Sequence, residues 1–287
     1  KSGNLDIYII GGREVTPEDI KVVDEKAKLL ASNIALNRIN EYRTMFNLPI
    51  LELDPKLCQS AFLHSKYVAI NNSFTHNQDE SLPNFLGFSF KDRLEKVGYK
   101  GRAREMFCQI DSTPARVELL FDSIYHRLRL MDPEIKYLGY GNYIDNERSI
   151  HVFDLGYVSD DQAKFEWESI EYPKKDSKDN KVSWDGTENP NPMPLGIDKP
   201  FGFPITLLLK EPILTVTKKV LLDEDNKEVE CFFITPENDV YKKQINAVII
   251  VPLKPLVNGK KYTVEINLKI ASGEDKIYKW SFDTINK

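Results

Sequence analysis

The spacing of the hydrophobic residues changes along the chain, from a helical period in the first half to a strand period in the last third. Three helices are predicted where an N-cap residue is followed by a proline suited to the first helical position: Thr16 to Phe46, Asp54 to Asn71 and Thr113 to Met131. After Pro133 the pattern predicts a hairpin of residues 137–143 and 149–157. Helices followed by a small sheet are typical of an α+β domain, which we expect to end near residue 160.

The rest of the chain is predicted to form a linker and an all-β domain. Residues 161–199 are polar and rich in proline and other turn formers, which favours a linker. Residues 200–287 contain short apolar or alternating stretches, separated by turn signals such as Asn258-Gly259. This density of short strands predicts an immunoglobulin-like β-sandwich. Residues 1–160 would then be the α+β domain with an N-terminal helical extension.

Composition and charge limit the classes of partner. The chain is 41% hydrophobic and 29% charged, and its net charge of −5 is spread evenly, so no basic surface for nucleic acid is expected. No apolar run approaches the ~20 residues of a transmembrane helix. No leader is evident at Lys1, so we expect that any secretion signal was removed or never existed. Because Cys58, Cys108 and Cys231 are few and far apart, no disulfide framework is predicted.

The four histidines differ in their context. His64 shares a helix face with apolar residues and His151 lies on a predicted strand, so we expect core packing for the first and half-buried sheet packing for the second. His126 lies opposite the apolar stripe of its predicted helix, four residues after Asp122. It is either on a solvated face, with an Asp122 contact worth a few tenths of a kcal/mol, or in a carboxylate–imidazole pair that can bind metal or transfer a proton. His76 follows a predicted helix end and has no periodic context.

Motifs within residues 30–157 resemble, in their order and spacing, the CAP superfamily of cysteine-rich secretory proteins, antigen 5 and pathogenesis-related proteins. They are Asn40-x-x-Arg43, Asn47-Leu48-Pro49, Ala61-x-x-His64-Ser65, Phe74-Thr75-His76, Arg104-Glu105-Met106, Ser123-Ile124-Tyr125-His126-Arg127 and Leu138-Gly139-Tyr140-Gly141. The stretch from Trp184 to Pro192 and the ending Trp280-Ser281-Phe282 resemble the connector and the trailing Ig-like domain of some bacterial members.

The resemblance implies a CAP-type α-β-α sandwich with a cleft that holds two histidines and two acids. Carried over by motif, the histidines are His76 and His126, and the first acid is Glu105. The second acid has no match, and Asp122 is the better nearby candidate because it lies one predicted helical turn before His126. The chain departs from the usual family residues at Met106, Leu120 and Tyr125.

The resemblance also implies a function, which we expect to be that of an extracellular or surface-attached binding protein with zinc or another divalent metal in the cleft. His76 and His126 would be the ligands, with Glu105 and Asp122 orienting the rings or ligating directly. The partner would be a lipid, peptide, glycan or protein, and a lipid anchor upstream of Lys1 is compatible with the sequence. One alternative is a metal-dependent hydrolase with Glu105 and His126 as catalytic candidates. Another is an adhesive or structural protein whose cleft is a relic.

Overall fold

The computed structural model describes residues 17–109, 117–145, 148–159 and 165–286, and the chain divides into two compact units. Unit 1 comprises Lys1–Glu41, Ile50–Arg116 and Ile135–Gln162, and unit 2 comprises Tyr42–Pro49, Val117–Glu134 and Ala163–Lys287. This division differs from the predicted order of residues 1–160, 161–199 and 200–287, because residues 42–49 and 117–134 group with the C-terminal part. Among the described residues, no helix is both long and apolar enough to cross a membrane.

Unit 1, in its described residues, contains three helices and a four-stranded sheet. The helices are α1 (Pro17–Met45, of which residues 42–45 belong to unit 2), α2 (Pro55–Asn71) and α3 (Phe90–Lys96). The strands are β1 (Glu52–Leu53), β2 (Ala103–Gln109), β3 (Ile135–Asp145) and β4 (Arg148–Tyr157), in the order β1-β3-β4-β2. β1 runs parallel to β3 and the other neighbours are antiparallel, so the predicted β3–β4 hairpin is confirmed.

The ends of α2 follow from its local sequence. The Asp54 carboxylate accepts hydrogen bonds from the amides of Lys56 and Leu57 at 2.8 and 2.9 Å, which satisfies donors that have no partner within the helix. Asn72 adopts the left-handed conformation with φ 50°, which ends the helix. The predicted second helix, Asp54 to Asn71, is confirmed.

Two glycines allow α2 to approach β3 closely. A Cβ atom on Gly139 would lie 2.2 Å from the carbonyl carbon of Leu57, and one on Gly141 would lie 2.1 Å from the amide nitrogen of Phe62. Both distances are far shorter than any van der Waals contact, so a side chain at either position would force the helix away from the sheet. The close approach brings Ser60 and His64, one helical turn apart on α2, against the strands.

Unit 2, where described, contains two short helices and nine strands. The helices are α4 (Val117–Asp122) and α5 (Tyr125–Leu130). The strands are β5 (Ser169–Tyr172), β6 (Ser183–Trp184), β7 (Phe201–Gly202), β8 (Ile205–Leu209), β9 (Ile213–Leu222), β10 (Cys231–Ile234), β11 (Ala247–Pro252), β12 (Lys261–Ile270) and β13 (Asp275–Asp283).

The strands of unit 2 form two antiparallel sheets around one hydrophobic core. The first has the order β10-β11-β8-β5, the second β13-β12-β9, and β6 pairs separately with β7. The core takes buried side chains from both, such as Leu207 and Val248 from the first sheet and Val264 and Trp280 from the second. A C-terminal all-β region is thus confirmed, whereas the immunoglobulin-like type stays a prediction. Because β5 pairs with β8, part of the segment predicted as a linker lies in a sheet.

The predicted single helix from Thr113 to Met131 is wrong. Residues 113–116 lie outside the described residues, and the remainder forms α4 and α5 with two residues between them. The amides of Ile124, Tyr125 and His126 donate to the Glu188 carboxylate at 2.7, 2.7 and 3.2 Å instead of to the preceding turn. An acid remote in sequence therefore takes the N–H groups that would have continued the helix.

The carbonyls of that preceding turn also find partners outside the helix. The Leu120 oxygen accepts from Ser123 Oγ at 2.9 Å. The oxygens of Phe121 and Asp122 accept from the Arg127 guanidinium at 2.6 and 3.3 Å. The amides and the carbonyls at the break both form hydrogen bonds to other groups, and these replace the bonds that a continuous helix would make. Asp122 therefore does not lie one turn before His126 on a continuous helix.

Candidate functional site

Glu105 on β2 is the centre of a buried polar cluster in unit 1. Its side chain is 2% exposed. One carboxylate oxygen, Oε1, accepts from His76 Nδ1 at 2.9 Å, and the other, Oε2, accepts from Arg93 Nη2 at 2.6 Å. Arg93 also donates through Nη1 to the His76 carbonyl at 2.9 Å. A single fully buried arginine thus fixes both the acid and the loop that carries the histidine.

His76 itself lies at the surface of this cluster, with its side chain 57% exposed. Its ring packs edge-on against Phe107, with ring centroids 4.7 Å apart. Because Nδ1–H is donated to the ionised Glu105, the neutral ring carries its lone pair on Nε2. An exposed imidazole nitrogen backed by a buried carboxylate can bind a metal ion or accept a proton.

His64 lies behind this pair and is fully buried, as predicted from the helix pattern. Gln78 Nε2 donates to His64 Nδ1 at 3.0 Å, and Gln78 Oε1 accepts from the amide of Leu86 at 2.8 Å. Burial lowers the pKa of His64 to about 4, although the nearby Glu105 opposes the change. His64 is therefore neutral at physiological pH and supports the loop after α2 rather than carrying charge.

The charges around Glu105 determine its ionisation. Burial alone raises the pKa of Glu105, but the polar and charged groups around it, foremost the hydrogen bond from His76 and the Arg93 guanidinium, outweigh burial and hold the pKa below its ordinary value. Glu105 is thus a carboxylate at neutral pH. Because both of its oxygens already accept hydrogen bonds, it is a weak proton acceptor.

A second carboxyl group, Asp154, lies directly opposite Glu105 in the β2–β4 register. It is fully buried, and neither of its oxygens has a hydrogen bond of good geometry. Burial, and then the charge of Glu105, raise the pKa of Asp154 well above its ordinary value, with the Ser60 hydroxyl opposing only in part. The two acids therefore share one environment with pKa values shifted in opposite directions, which favours the ionised form of Glu105 and the protonated form of Asp154.

The raised pKa of Asp154 predicts a pH-dependent effect of Asp154→Asn. A group whose pKa is higher in the folded than in the unfolded protein contributes stability below its unfolded pKa, and this contribution is lost as the pH rises through the folded pKa. The variant has no carboxyl group at this position and therefore has no such loss. The unfolding free energy of the variant minus that of the wild type should increase with pH, by about 1.4 kcal/mol for each unit by which the folded pKa of Asp154 exceeds its unfolded pKa. Urea unfolding of both proteins at about pH 4 and about pH 8 measures this difference. An equal difference at both values would contradict a protonated Asp154.

His126 belongs to unit 2, where a different acid holds it. Its Nδ1 lies 3.1 Å from Glu188 Oε1 and 3.1 Å from Ser123 Oγ. Because the Ser123 hydroxyl donates to the Leu120 carbonyl, the single Nδ1–H of His126 is shared between two acceptors, Glu188 Oε1 and Ser123 Oγ, which again leaves the lone pair on Nε2. The His126 side chain is 19% exposed and the Glu188 side chain is fully buried.

The predicted site residues are therefore distributed over both units. His76 and Glu105 are together in unit 1, and His126 and Asp122 are both in unit 2. Asp122 Oδ2 accepts from Lys181 Nζ at 2.5 Å, whereas the carboxylate that contacts His126 is that of Glu188. In the part of the chain that the structure describes, no group of three or more His, Cys, Asp or Glu side chains is arranged to hold a metal ion.

Sequence reasoning missed four residues of these clusters: Arg93, Gln78, Asp154 and Glu188. Signals existed for two of them: Arg93 begins the family-like motif Arg93-Leu94-x-x-x-Gly98-Tyr99, and Glu188 lies in the connector-like stretch from Trp184 to Pro192, where the resemblance indicated only architecture. Asp154 alternates with apolar residues on β4, and only the strand register shows that it faces Glu105.

Comparison with known proteins finds a family-model match in the first half of the chain. Residues 36–155 match the family model of the CAP, or cysteine-rich secretory protein, family. The CAP match covers β2, β3 and most of β4, together with Glu105 and both candidate histidines. A search of curated proteins gives no match.

Several solved structures are similar to parts of the chain. An extracellular SCP-domain protein of Bacillus anthracis is 24% identical over 49% of this chain and 44% of its own, with a TM-score of 0.39. An outer surface protein of Borrelia burgdorferi is 20% identical over 50% of this chain and 96% of its own, with a TM-score of 0.38. The copper resistance protein PcoC of Escherichia coli is 12% identical over 40% of this chain and 92% of its own, with a TM-score of 0.27. The chain thus aligns with less than half of the Bacillus protein.

Proposed function

We propose that the protein is a CAP-domain binding protein that acts outside the cell or at its surface and binds a divalent cation such as zinc through histidine. One observation carries the proposal: each candidate histidine has its Nδ1 held by a buried carboxylate, Glu105 for His76 and Glu188 for His126. This arrangement fixes the ring and leaves Nε2 as the donor atom, as is usual for metal-binding histidines. The match of residues 36–155 to a family of secretory proteins supports the extracellular location.

The donor set limits the expected affinity. Zinc prefers three or four protein ligands in tight sites, and no such group exists among the described residues. Glu105 is a poor candidate ligand, because its side chain is only 2% exposed and each of its oxygens already accepts a hydrogen bond, from His76 and from Arg93. We therefore propose that a histidine Nε2 is the protein donor, that water completes the coordination shell, and that the affinity is modest. Binding should weaken in acid because the imidazole must be unprotonated.

The hydrolase alternative receives less support from the geometry. A general base needs a pKa close to the working pH and access to the substrate, whereas Glu105 is buried and has a lowered pKa. Asp154 has a raised pKa but is fully buried. The class of biological ligand, whether lipid, peptide, glycan or protein, stays a prediction.

Calorimetric titration of zinc into chelator-treated protein, at about pH 7.5 and about pH 5.5, tests the proposal. The wild type should bind at the higher pH only, and His76→Ala and His126→Ala should each reduce the binding. Glu105→Gln should weaken binding at His76 about 10- to 100-fold, the usual effect of losing an orienting carboxylate. Glu80→Gln, at an exposed acid of the same loop, is the matched control. Absence of binding at the higher pH, or equal binding by both alanine variants and wild type, would overturn the proposal.

A further inference from the structure

The strand β13 lies at one side of its sheet, and its outer edge is only partly covered. β12 is its only strand neighbour among the described residues. The Asp176 amide donates to the Ser281 carbonyl at 2.8 Å, and the Asp283 amide donates to the Ser177 carbonyl at 2.8 Å. The segment between β5 and β6 therefore covers the C-terminal end of this edge. All of these residues belong to unit 2.

We name the remaining residues of this edge, Asp275–Lys279, the free edge. The two backbone groups of β13 that bind the covering segment belong to odd-numbered residues. Because the direction of the backbone groups alternates along a strand, the amides and carbonyls of Asp275, Ile277 and Lys279 also point away from β12. In the part of the chain that the structure describes, no other backbone group donates to them or accepts from them. An unpaired edge of this kind can add a further strand.

The side chains of the free edge form a self-complementary pattern. Asp275, Ile277 and Lys279 share the outer face of the sheet, and they are 81%, 76% and 64% exposed. If two copies of the free edge pair antiparallel with Ile277 opposite Ile277, Asp275 of each copy lies opposite Lys279 of the other. The exposed isoleucines then cover each other, and unlike charges meet directly across the strands.

The ion pairs already present on this face continue the pattern. Within one copy, Lys279 Nζ lies 2.5 Å from Glu265 Oε1, and Asp275 Oδ1 lies 3.6 Å from Lys269 Nζ. Glu265 and Lys269 are the β12 residues directly opposite these two in the register. Two paired copies would therefore carry an alternating row of charges across their junction: Glu265 and Lys279 of one copy, then Asp275 and Lys269 of the other. No charge in this row meets a like charge.

Neighbouring registers that keep the backbone hydrogen bonds do not pair these charges. Sliding one copy by the strand repeat of two residues places Lys276 opposite Lys276, and like charges directly opposite are destabilising. Sliding it the other way places Lys279 opposite Ile277 and Asp275 opposite Ser281, whose carbonyl already accepts a hydrogen bond. Only the register centred on Ile277 is complementary, and it relates the two copies by a two-fold axis. The free edge therefore suits a second copy of this chain.

We propose that the free edge binds the free edge of a second copy of the chain, in the antiparallel register centred on Ile277. The sheet β13-β12-β9 would then continue through the two-fold axis into the same sheet of the second copy. Stable interfaces use about 20–30 residues a side, and the free edge is much shorter, so the dimer is weak and forms at high local concentration. No histidine lies on β9, β12 or β13, so this proposal and the zinc proposal can fail separately.

Two measurements on the wild-type chain test the proposal. Sedimentation velocity at increasing protein concentration should show a shift from monomer toward dimer. Amide hydrogen exchange followed by NMR should show slower exchange at Asp275, Ile277 and Lys279 as the concentration rises, because their amides become donors across the junction. The amides of Lys276 and Tyr278 point toward β12 and should not change. A monomer at every concentration, or a dimer without slower exchange at the three odd-numbered residues, would overturn the proposal.

A charge exchange tests the register. Asp275→Lys and Lys279→Asp each set like charges opposite one another in a dimer, so each variant alone should dimerise about 10-fold more weakly than wild type. An equal mixture of the two variants restores unlike pairs, because one variant carries only lysine at the two positions and the other only aspartate. The mixture should therefore associate about as strongly as wild type. Wild-type dimerisation of either variant alone, or a mixture no stronger than its components, would contradict the register.

The matched control is Glu237→Lys, which makes the same change of charge at an exposed acid of unit 2 outside the free edge. It should leave dimerisation unchanged. If it weakens the dimer as much as Asp275→Lys does, net charge rather than strand pairing explains the effect, and the proposal is wrong. The exchange measurement needs no variant, so it decides the matter even if a substituted chain does not fold.

Discussion

Gly141→Ala is expected to destabilise unit 1 by about 4 kcal/mol or more, enough to unfold many single domains. The new methyl group would lie 2.1 Å from the Phe62 amide nitrogen, which is backbone and cannot rotate away. To remove this steric overlap, α2 must move away from β3, and this movement would separate Ser60 and His64 from the strands. Urea unfolding followed by far-ultraviolet circular dichroism measures the change.

The control for this prediction is Gly273→Ala, in a turn where the added methyl group would meet nothing within 4 Å. Gly273 has φ +90°, so alanine there is strained, but only by about 1–2 kcal/mol. Comparable losses in the two variants would mean that backbone conformation, rather than the close approach of α2, explains the effect. An unchanged unfolding free energy for Gly141→Ala would refute the packing argument.

Arg93→Met should cost about 3–5 kcal/mol, because it leaves the Glu105 carboxylate buried without its charged partner. The salt bridge is short, at 2.6 Å, and the side chains of Arg93 and Glu105 are 0% and 2% exposed, so solvent screens it little. The variant also loses the donor to the His76 carbonyl. Without the guanidinium the pKa of Glu105 rises, so the loss of stability should shrink as the pH falls and the acid is protonated in the folded state.

Two comparisons isolate the charge effect. The double variant Arg93→Met/Glu105→Gln removes both charges and should recover part of the loss. Lys91→Met disrupts an exposed ion pair with Glu95 on the same helix, where the atoms are 3.9 Å apart, and should change the unfolding free energy by less than about 0.5 kcal/mol. If Arg93→Met behaves like Lys91→Met, the buried cluster does not depend on the arginine.

Local chemistry made some elements predictable. Asp54-Pro55 identified the start of α2, because an N-cap carboxylate and a proline act on the residues beside them. The helical period also identified His64 as a core residue. His151 was predicted to be half-buried, but it is fully buried, with Tyr140 Oη and Ser149 Oγ each 2.8 Å from its ring nitrogens. A pattern of alternation indicates the face of a strand but not how completely that face is covered.

Interactions between distant residues were not predictable in the same way. The break between α4 and α5 depends on Glu188, which is 62 residues from His126 in sequence, and nothing near Ser123 indicates it. The opposite pKa shifts of Glu105 and Asp154 depend on the register of β2 with β4. The contact of His76 with Glu105 was implied by the resemblance to the CAP family, whereas the role of Arg93 in holding both required the geometry.

The binding of the α5 amides by Glu188 has a consequence for how this chain can be divided into parts. The similarity to the CAP family ends at residue 155, yet the carboxylate that orients His126 and begins α5 comes from residue 188. A fragment cut at the edge of the similarity would retain His126 but expose three unpaired amides and lose the acid at its ring. The end of the family match and the last residue that the His126 environment requires therefore lie more than thirty residues apart.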